Sequence, residues 1–281
     1  MSTLNIRSVV LSIVLAAAMA VGVCSQSPTS SAAGSRRFVG ETLTYDGKLN
    51  WMKLSFSVAD LTFTTTESAD GTAMQIRAEA VSKGTLTNLV HYSFLQQINS
   101  DVDLNGFRAA KTAKHDVQKE RVRDSEAIFD YSQNRVTFVE TDPKDQMRAP
   151  RRIASDITSP THDIVSGIYF LRSLDLGLGK TFVIELSDSG LVYRIPVRVT
   201  AREKKSSILG KAYCWRVEPD IFGPGRLIEK EGSLVIWITA DDRRVPVAAK
   251  IDSGIGTMNV KLREYKVKPS TTTKSTAVAD N

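Results

Sequence analysis

Few residues of this sequence have the types and the spacing that catalysis or metal binding requires. The three histidines, His91, His115 and His162, lie far apart and form no H-x-x-x-H pair or other spacing typical of a metal site. Cys214 lies in a segment that we predict to be a strand, where a lone cysteine is more often a core residue than a nucleophile. The sequence also contains no G-x-S-x-G elbow, no P-loop and no G-x-G-x-x-G loop. We therefore expect no enzymatic activity, no bound metal and no cofactor.

Two pairs of charged residues remain as candidates for a polar site. Asp241 and Asp242 are adjacent, so in a strand their side chains point to opposite faces, and two arginines follow them. We expect an exposed, salt-bridged hairpin tip there. Asp163 and Arg172 lie near opposite ends of a predicted helix. We expect them to be a helix cap and a buried anchor to the sheet; the alternative is that they frame a polar group at the mouth of a cavity.

Aromatic side chains indicate a binding surface more strongly than the charged residues do. Eight of them could face one interior: Tyr45, Trp51, Phe56, Phe63, Tyr169, Phe170, Trp215 and Trp237. A curved sheet that is too large to fill its own concave side leaves an apolar cavity lined by such residues, whereas a packed core is the commoner arrangement. The candidate ligand-binding residues are therefore Tyr45, Trp51, Tyr169, Arg172 and Trp237.

The elements that must position these residues are mostly strands. Between Val39 and Trp51 the odd positions are mostly apolar and the even positions mostly polar, which is typical of a half-buried strand. The apolar phase then slips, which predicts a β-bulge near Ala59-Asp60. Nine further strands are predicted between Phe107 and Tyr265. Turn-type clusters between them, such as Asp188-Ser189-Gly190, favour antiparallel pairing.

Two segments have the pattern of short helices. His162–Leu174 carries a broad apolar stripe at helical spacing, with Asp163 placed to complement the positive end of the helix dipole. Leu86–Leu95 is a weaker candidate. The predicted fold is mainly β: a long antiparallel meander that forms a curved sheet or open barrel wrapped around one or two short helices.

The N-terminus has the pattern of a secretory signal peptide. A short polar segment with Arg7 precedes an apolar run from Val9 to Val23, and small residues follow, with possible cleavage sites after Ala20 or Ala33. The alternative is an uncleaved membrane anchor, but this run is shorter than the roughly 20 residues that a spanning helix needs. We predict an exported protein, periplasmic or associated with the outer membrane, with no transmembrane span in the mature chain.

Cys24 adds a second possibility to the same segment. A cysteine just after the apolar run occurs in bacterial lipoproteins, where it becomes the acylated N-terminus, and a lipid anchor would tie the protein to a membrane. Val23 argues against acylation, because that processing requires Gly, Ala or Ser directly before the cysteine. We expect no disulfide between Cys24 and Cys214, because it would tie a strand to a flexible leader.

Composition indicates one globular domain between polar ends. The 281 residues are 42% apolar and 24% charged, and a net charge of +6 is too small for a nucleic-acid binder of this length. Three arginines are concentrated in Met147–Arg152, a predicted loop that either meets anionic groups or is only solvated. We assign 1–33 to a signal peptide and leader, 34–267 to a single β-rich domain, and 268–281 to a disordered polar tail.

Several segments together resemble DUF3108, an uncharacterised bacterial family. They are Phe38–Tyr45 followed by Trp51, Asp163–Arg172, Gly210–Pro219 and Gly232–Val247. The stretch from Thr85 to Arg152 aligns least with the family. The resemblance implies an exported envelope protein of Gram-negative-type bacteria with no known activity, and it transfers no catalytic residues.

Three functions are compatible with these observations. The first is a non-enzymatic envelope protein whose curved sheet holds a lipid or another apolar molecule. The second is an interaction or assembly module that docks another envelope protein through an exposed strand edge or the arginine-rich segment. The third, a hydrolase acting on an envelope polymer, would need polar side chains that converge in a cleft, and the sequence offers no such set.

Overall fold

The computed structural model describes residues 36–51, 54–84, 92–254 and 256–268. These residues form a 15-stranded sheet and the helix α1, Ile164–Ser173. The strands are β1 Glu41–Trp51, β2 Leu54–Glu67, β3 Ala73–Ser82, β4 Phe94–Asp103, β5 Arg108–Gln118, β6 Arg121–Asp130, β7 Arg135–Thr141, β8 Arg151–Asp156, β9 Thr161–His162, β10 Thr181–Asp188, β11 Leu191–Ser207, β12 Gly210–Pro219, β13 Gly232–Thr239, β14 Pro246–Ser253 and β15 Gly256–Val267.

The order of the strands explains why the sheet is rolled. The sheet runs from β8 through β1, which pairs with β15, to β9, and all pairs are antiparallel except β9 with β10. The two edge strands, β8 and β9, are therefore consecutive in the chain and are joined by residues 157–160. Because a link of this length spans at most roughly 18 Å, the two edges of the sheet must lie near each other.

Helix α1 lies against one face of the rolled sheet and closes the core. It contacts β3, β4, β9 and β10, and its Val165, Tyr169, Phe170 and Leu171 are buried. The contact with β10 is close, because a Cβ atom on Gly167 would lie 2.5 Å from Leu186 Cδ2. Alternate residues of the strands complete this core, as in β3, where the inward positions are at most 1% exposed: Met74, Ile76, Ala78 and Ala80.

The predicted fold class is confirmed, and so are two of its details. Helix α1 falls within the predicted His162–Leu174 and begins with Asp163 as its cap. The β1–β2 register shifts so that Val58 has no partner on β1, one residue from the predicted bulge. Two predictions were wrong. The end of the candidate helix Leu86–Leu95 is the start of β4, and Arg151–Arg152 belong to an edge strand, β8, instead of a loop.

Some further predictions concern residues outside the described ranges. They concern the leader, Cys24 and most of the candidate helix from Leu86. The polar tail after Lys268 is also outside.

Candidate functional site at the seam of the sheet

The structure brings three of the five predicted site residues, Tyr45, Tyr169 and Arg172, together in the buried interior. Arg172 is fully buried on α1 and makes a bidentate pair with Glu41 of β1, with Nη1–Oε2 and Nη2–Oε1 distances of 2.6 and 2.7 Å. Its Nε donates a hydrogen bond of 2.8 Å to the carbonyl of Arg244. Burial alone would lower the pKa of Arg172, but the adjacent Glu41 carboxylate raises it above its ordinary value. The expected anchoring role of Arg172 is confirmed.

Tyr45 and Tyr169 complete this cluster through contacts within the protein. The Tyr45 hydroxyl donates to the carbonyl of Pro246 over 2.9 Å, and the Tyr169 ring packs edge-on against Phe38 at a centroid distance of 5.7 Å. The guanidinium of Arg172 lies 4.8 Å from the centre of the Tyr169 ring. Burial raises the pKa of both tyrosines. Every polar group of Arg172 is thus held by the protein itself, and the cluster fastens the helix to the centre of the sheet.

The other two predicted site residues are not part of this cluster. Trp237 lies on the face of β13 opposite to Ile236 and Ile238, and it is partly buried against the main core. Its Nε1 donates to Glu203, and Lys205 Nζ lies 3.9 Å from its ring centre. Trp51 ends β1, and its side chain is outside the described part of the structure. The five residues therefore do not form one site.

The place where the edges of the sheet meet is the better candidate. We call this place the seam. On one side of it lie β8 and the β6–β7 hairpin, and on the other side lie β9 and the β10–β11 turn. Across the seam, Ser155 Oγ donates a hydrogen bond of 2.7 Å to the carbonyl of Gly190, and the Tyr131 hydroxyl lies 2.9 Å from the carbonyl oxygen of Thr161. A Cβ atom on Gly190 would lie 2.7 Å from Phe138 Cβ, so the turn packs tightly on β7. These contacts replace the hydrogen-bonded ladder that would close a full barrel.

A crevice of about 40 Å³ opens beside the seam at the start of α1. It is lined by the apolar residues Ile98, Ala127, Phe129, Phe138 and Ile164 and by the polar residues Thr112, Lys114, Ser125, Asp163 and Ser187–Ser189. A mostly apolar lining with a few convergent polar groups is typical of ligand sites, although such sites usually measure roughly 300 Å³ or more.

Asp163 is the most firmly held polar group of the crevice. As the cap of α1, its Oδ1 accepts from the backbone N–H groups of Val165 and Ser166 at 2.8 and 3.0 Å. Its Oδ2 accepts from Thr112 Oγ1 at 3.0 Å and from Ser100 Oγ. The expected capping role is confirmed. The carboxylate also borders the crevice, but Arg172 does not line it, so the two residues do not frame a polar group there together. The lone pairs of the Asp163 carboxylate are used by these donors, so it orients the wall and leaves little capacity for a ligand.

Ser187 is a polar residue of the crevice whose side chain can still form hydrogen bonds. Its side chain is 5% exposed, and its Oγ has no hydrogen-bond partner among the described residues. A buried hydroxyl without a partner is unfavourable, so this atom would gain from a ligand or a water molecule that bonds to it. Sequence reasoning missed it, because a single serine near a turn is an unremarkable pattern.

A second, open depression lies on the opposite face of β4–β7. It measures about 530 Å³ and is lined by polar side chains that include His115, Asp124 and Glu126. His115 Nδ1 contacts Asp124 Oδ1, and both side chains are more than a third exposed. Such an exposed pair contributes little binding energy because water screens it. We regard the depression as solvated surface.

The described residues contain neither a metal-binding cluster nor a membrane-spanning helix. No three side chains of the His, Cys, Asp and Glu types are grouped there as a metal ion would need. No helix in the described ranges has both the length and the apolar character to cross a bilayer.

Comparison with solved structures confirms the fold. A crystal structure of a β-barrel-like protein of domain of unknown function DUF1849 from Brucella abortus has a TM-score of 0.56 and 12% identity, covering 83% of this chain and 99% of its own. A hypothetical protein, CT021, from Chlamydia trachomatis is less similar, with a TM-score of 0.33, 12% identity and coverage of 85% and 93%.

Comparison at the level of sequence places the chain in a family. No curated protein matches it. The profile of the family described as "Protein of unknown function (DUF3108)" matches residues 44–263, which is most of the chain. The protein therefore belongs to DUF3108.

Proposed function

We propose that the protein is exported to the cell envelope and holds a lipid or another apolar molecule at the seam without catalysing a reaction. The observation that carries the proposal is the crevice, which combines apolar walls with the partnerless hydroxyl of Ser187. An apolar chain would cover Phe129 and Phe138, while a polar group at its end would bond to Ser187. The signal-peptide pattern of residues 1–33 supports export.

Binding a chain requires the seam to widen, and the packing around the seam suits this movement. The crevice of about 40 Å³ admits only a few water molecules. The wall beside it belongs to a small hydrophobic cluster of Ala109, Phe129, Val136 and Ile157, separate from the main core. Because no strand ladder crosses the seam, separation of β8 from the β10–β11 turn would break the Ser155–Gly190 hydrogen bond and the packing of Gly190 on Phe138 but no paired strands. Regions with few such contacts open at lower free energy than the core does.

Mass spectrometry of molecules that co-purify with the protein tests whether it binds a ligand. The protein is produced with its own leader, purified without detergent and extracted for mass spectrometry. We expect one class of lipid or apolar molecule at a constant ratio to protein. Protein that is free of such molecules, or that carries the general lipid mixture of the cell in proportion to its abundance, would overturn the proposal.

A pair of matched variants locates the ligand. Ala127→Leu adds volume to the lining of the crevice and should remove the bound molecule. Ala113→Leu makes the same change on β5, on the wall of the open depression, and should leave the bound molecule in place. Equal loss or equal retention in the two variants would show that the ligand is not in the crevice.

A second candidate function is docking of another envelope protein, and the edge strand β8 favours it. Met147 is 94% exposed just before this edge, and Arg151 and Arg152 lie on it. An edge strand has unpaired backbone groups to which a partner can add a strand, although its charges and the preceding Pro150 weaken such pairing. In-cell crosslinking from a photoreactive residue at position 147 tests this function, which requires one reproducible protein partner.

A further inference from the structure

Strands β11 and β12 extend past their neighbours as a two-stranded ribbon. β10 pairs with β11 only as far as Arg198, and β13 pairs with β12 only between Cys214 and Val217. From Arg202 to Ala212 the two strands pair with each other alone and turn at Ile208-Leu209. We call residues Arg202–Ala212 the ribbon. Isolated two-stranded ribbons are marginally stable, so this one needs contacts from one of its faces to the body of the protein.

The two faces of the ribbon differ sharply in exposure. Along β11 from Ala201 to Ser207 the odd positions are partly buried and the even positions are exposed. On the inner face Lys205 and Glu203 contact Trp237, and Leu209 packs against the main core. These contacts fix the ribbon to the domain and leave its other face to the solvent.

The outer face is basic and carries exposed apolar side chains. It presents Arg202, Lys204 and Lys211, whereas Glu203, the acidic residue of the ribbon, is on the inner face. Ile208 at the turn is 53% exposed, and Tyr213, just beyond the ribbon on the same face, is 45% exposed.

The charges and rings of this face are arranged together. Arg202 and Lys204 lie over the Tyr213 ring, with their charged groups 4.4 and 5.0 Å from its centre. This stacking holds the cations beside the apolar surface, so charge and apolar area are presented side by side.

We propose that the outer face of the ribbon docks the protein on a phospholipid surface that contains anionic lipids. Basic side chains are attracted to anionic headgroups, and tyrosine and isoleucine beside them suit the boundary between headgroups and acyl chains. A face with three cations, no acid and two large exposed apolar groups is complementary to that surface. The inference goes beyond the proposed ligand site and does not depend on it, since the seam and the ribbon lie at opposite ends of β11.

The experiment places a fluorescent reporter on the ribbon of the full chain. Ile208→Trp is mixed with vesicles of phosphatidylcholine, or of phosphatidylcholine and phosphatidylglycerol in equal amounts, each containing brominated lipid as a quencher. The control is Leu178→Trp, since Leu178 is 66% exposed in the segment between α1 and β10. Residues 1–35 are common to both variants, so attachment through them would affect both equally.

We expect quenching of the residue-208 reporter by the anionic vesicles alone, reversal by salt, and no added quenching of the residue-178 reporter. Adding Lys204→Gln and Lys211→Gln to the Ile208→Trp chain should weaken binding about 30-fold, because each basic residue near an anionic surface contributes about fivefold in affinity. Three results would overturn the proposal: no quenching at residue 208, equal quenching at both positions, or no effect of the two glutamines. A ribbon that crosslinks to one protein but is not quenched by vesicles would also overturn it.

Discussion

Replacing His162 by phenylalanine should make the protein markedly more resistant to acid. His162 is fully buried in β9, one residue before the cap of α1, and neither ring nitrogen has a partner among the described residues. Its ring stacks on Phe170 with a centroid distance of 4.2 Å and packs near Phe107. Because burial in this apolar position disfavours the charged imidazolium, the pKa of His162 is lowered to about 3.

The direction of the pH effect follows from this lowered pKa. In the unfolded chain the imidazole binds a proton near pH 6.5, whereas in the folded protein it does so only near pH 3. Below pH 6.5 the unfolded state therefore binds the proton more tightly, and stability is lost as the pH falls towards the folded pKa. The loss is about 1.4 kcal/mol for each pH unit, so at pH 4 it reaches about 3 kcal/mol.

Urea unfolding followed by tryptophan fluorescence at pH 7 and pH 4 measures this difference. The free energy of unfolding of His162→Phe should exceed that of the unsubstituted protein by about 3 kcal/mol more at pH 4 than at pH 7. Val165→Ala, a truncation of a fully buried residue on the adjacent helix α1, is the control and should cost the same at both pH values. If the unsubstituted protein and His162→Phe lose equal stability between the two pH values, the reasoning is refuted.

Three further predictions concern the interior. Arg172→Met alone should lower the free energy of unfolding by about 3–5 kcal/mol, measured in urea, because it leaves the Glu41 carboxylate buried without its partner. Adding Glu41→Leu should restore much of that loss. A double variant no more stable than Arg172→Met would contradict this explanation. Gly167→Ala should destabilise by about 1–3 kcal/mol because its Cβ meets Leu186, and a double-mutant cycle with Leu186→Ala should show the cost shrinking, whereas additive costs would exclude the clash. Burial raises the pKa of the Cys214 thiol to about 11, so in a chain whose leader cysteine is replaced by serine, iodoacetamide at pH 8 should modify the protein only after unfolding, and rapid native labelling would count against this packing.

The alternation of apolar and polar side chains is enough to predict the strands that have one solvent-exposed face. In β3 the inward Met74 and Ile76 alternate with polar residues, and the period of two identifies the buried set directly. The same pattern failed for β13, where Leu234–Ile238 is apolar throughout. Without polar residues to mark one face, the pattern does not separate Trp237 from the fully buried side chains on either side of it.

The local sequence pattern does not predict the ribbon or the seam, for different reasons. Residues Arg202–Lys205 are charged and lack apolar alternation, so the sequence predicts that β11 ends at Ala201, although the strand continues to Ser207 by pairing with β12. The seam depends on the pairing of β1 with β15, because that pairing makes β8 and β9 the edges. Contacts between segments so far apart in the chain leave no local signal.

The pairing of β1 with β15 also determines how the protein can be assembled. Strands β1–β8 form one antiparallel meander and β10–β15 another, with β9 paired in parallel to β10, so most contacts of each half form between adjacent segments of chain. The junction of the halves joins the first strand to the last, as in the pair Glu41 and Val267, and it must wait until the whole chain is present. A chain delivered from its N-terminus therefore carries β1 as an open edge until β15 arrives, and this interval is when a folding helper or an aggregating neighbour competes for the same backbone groups.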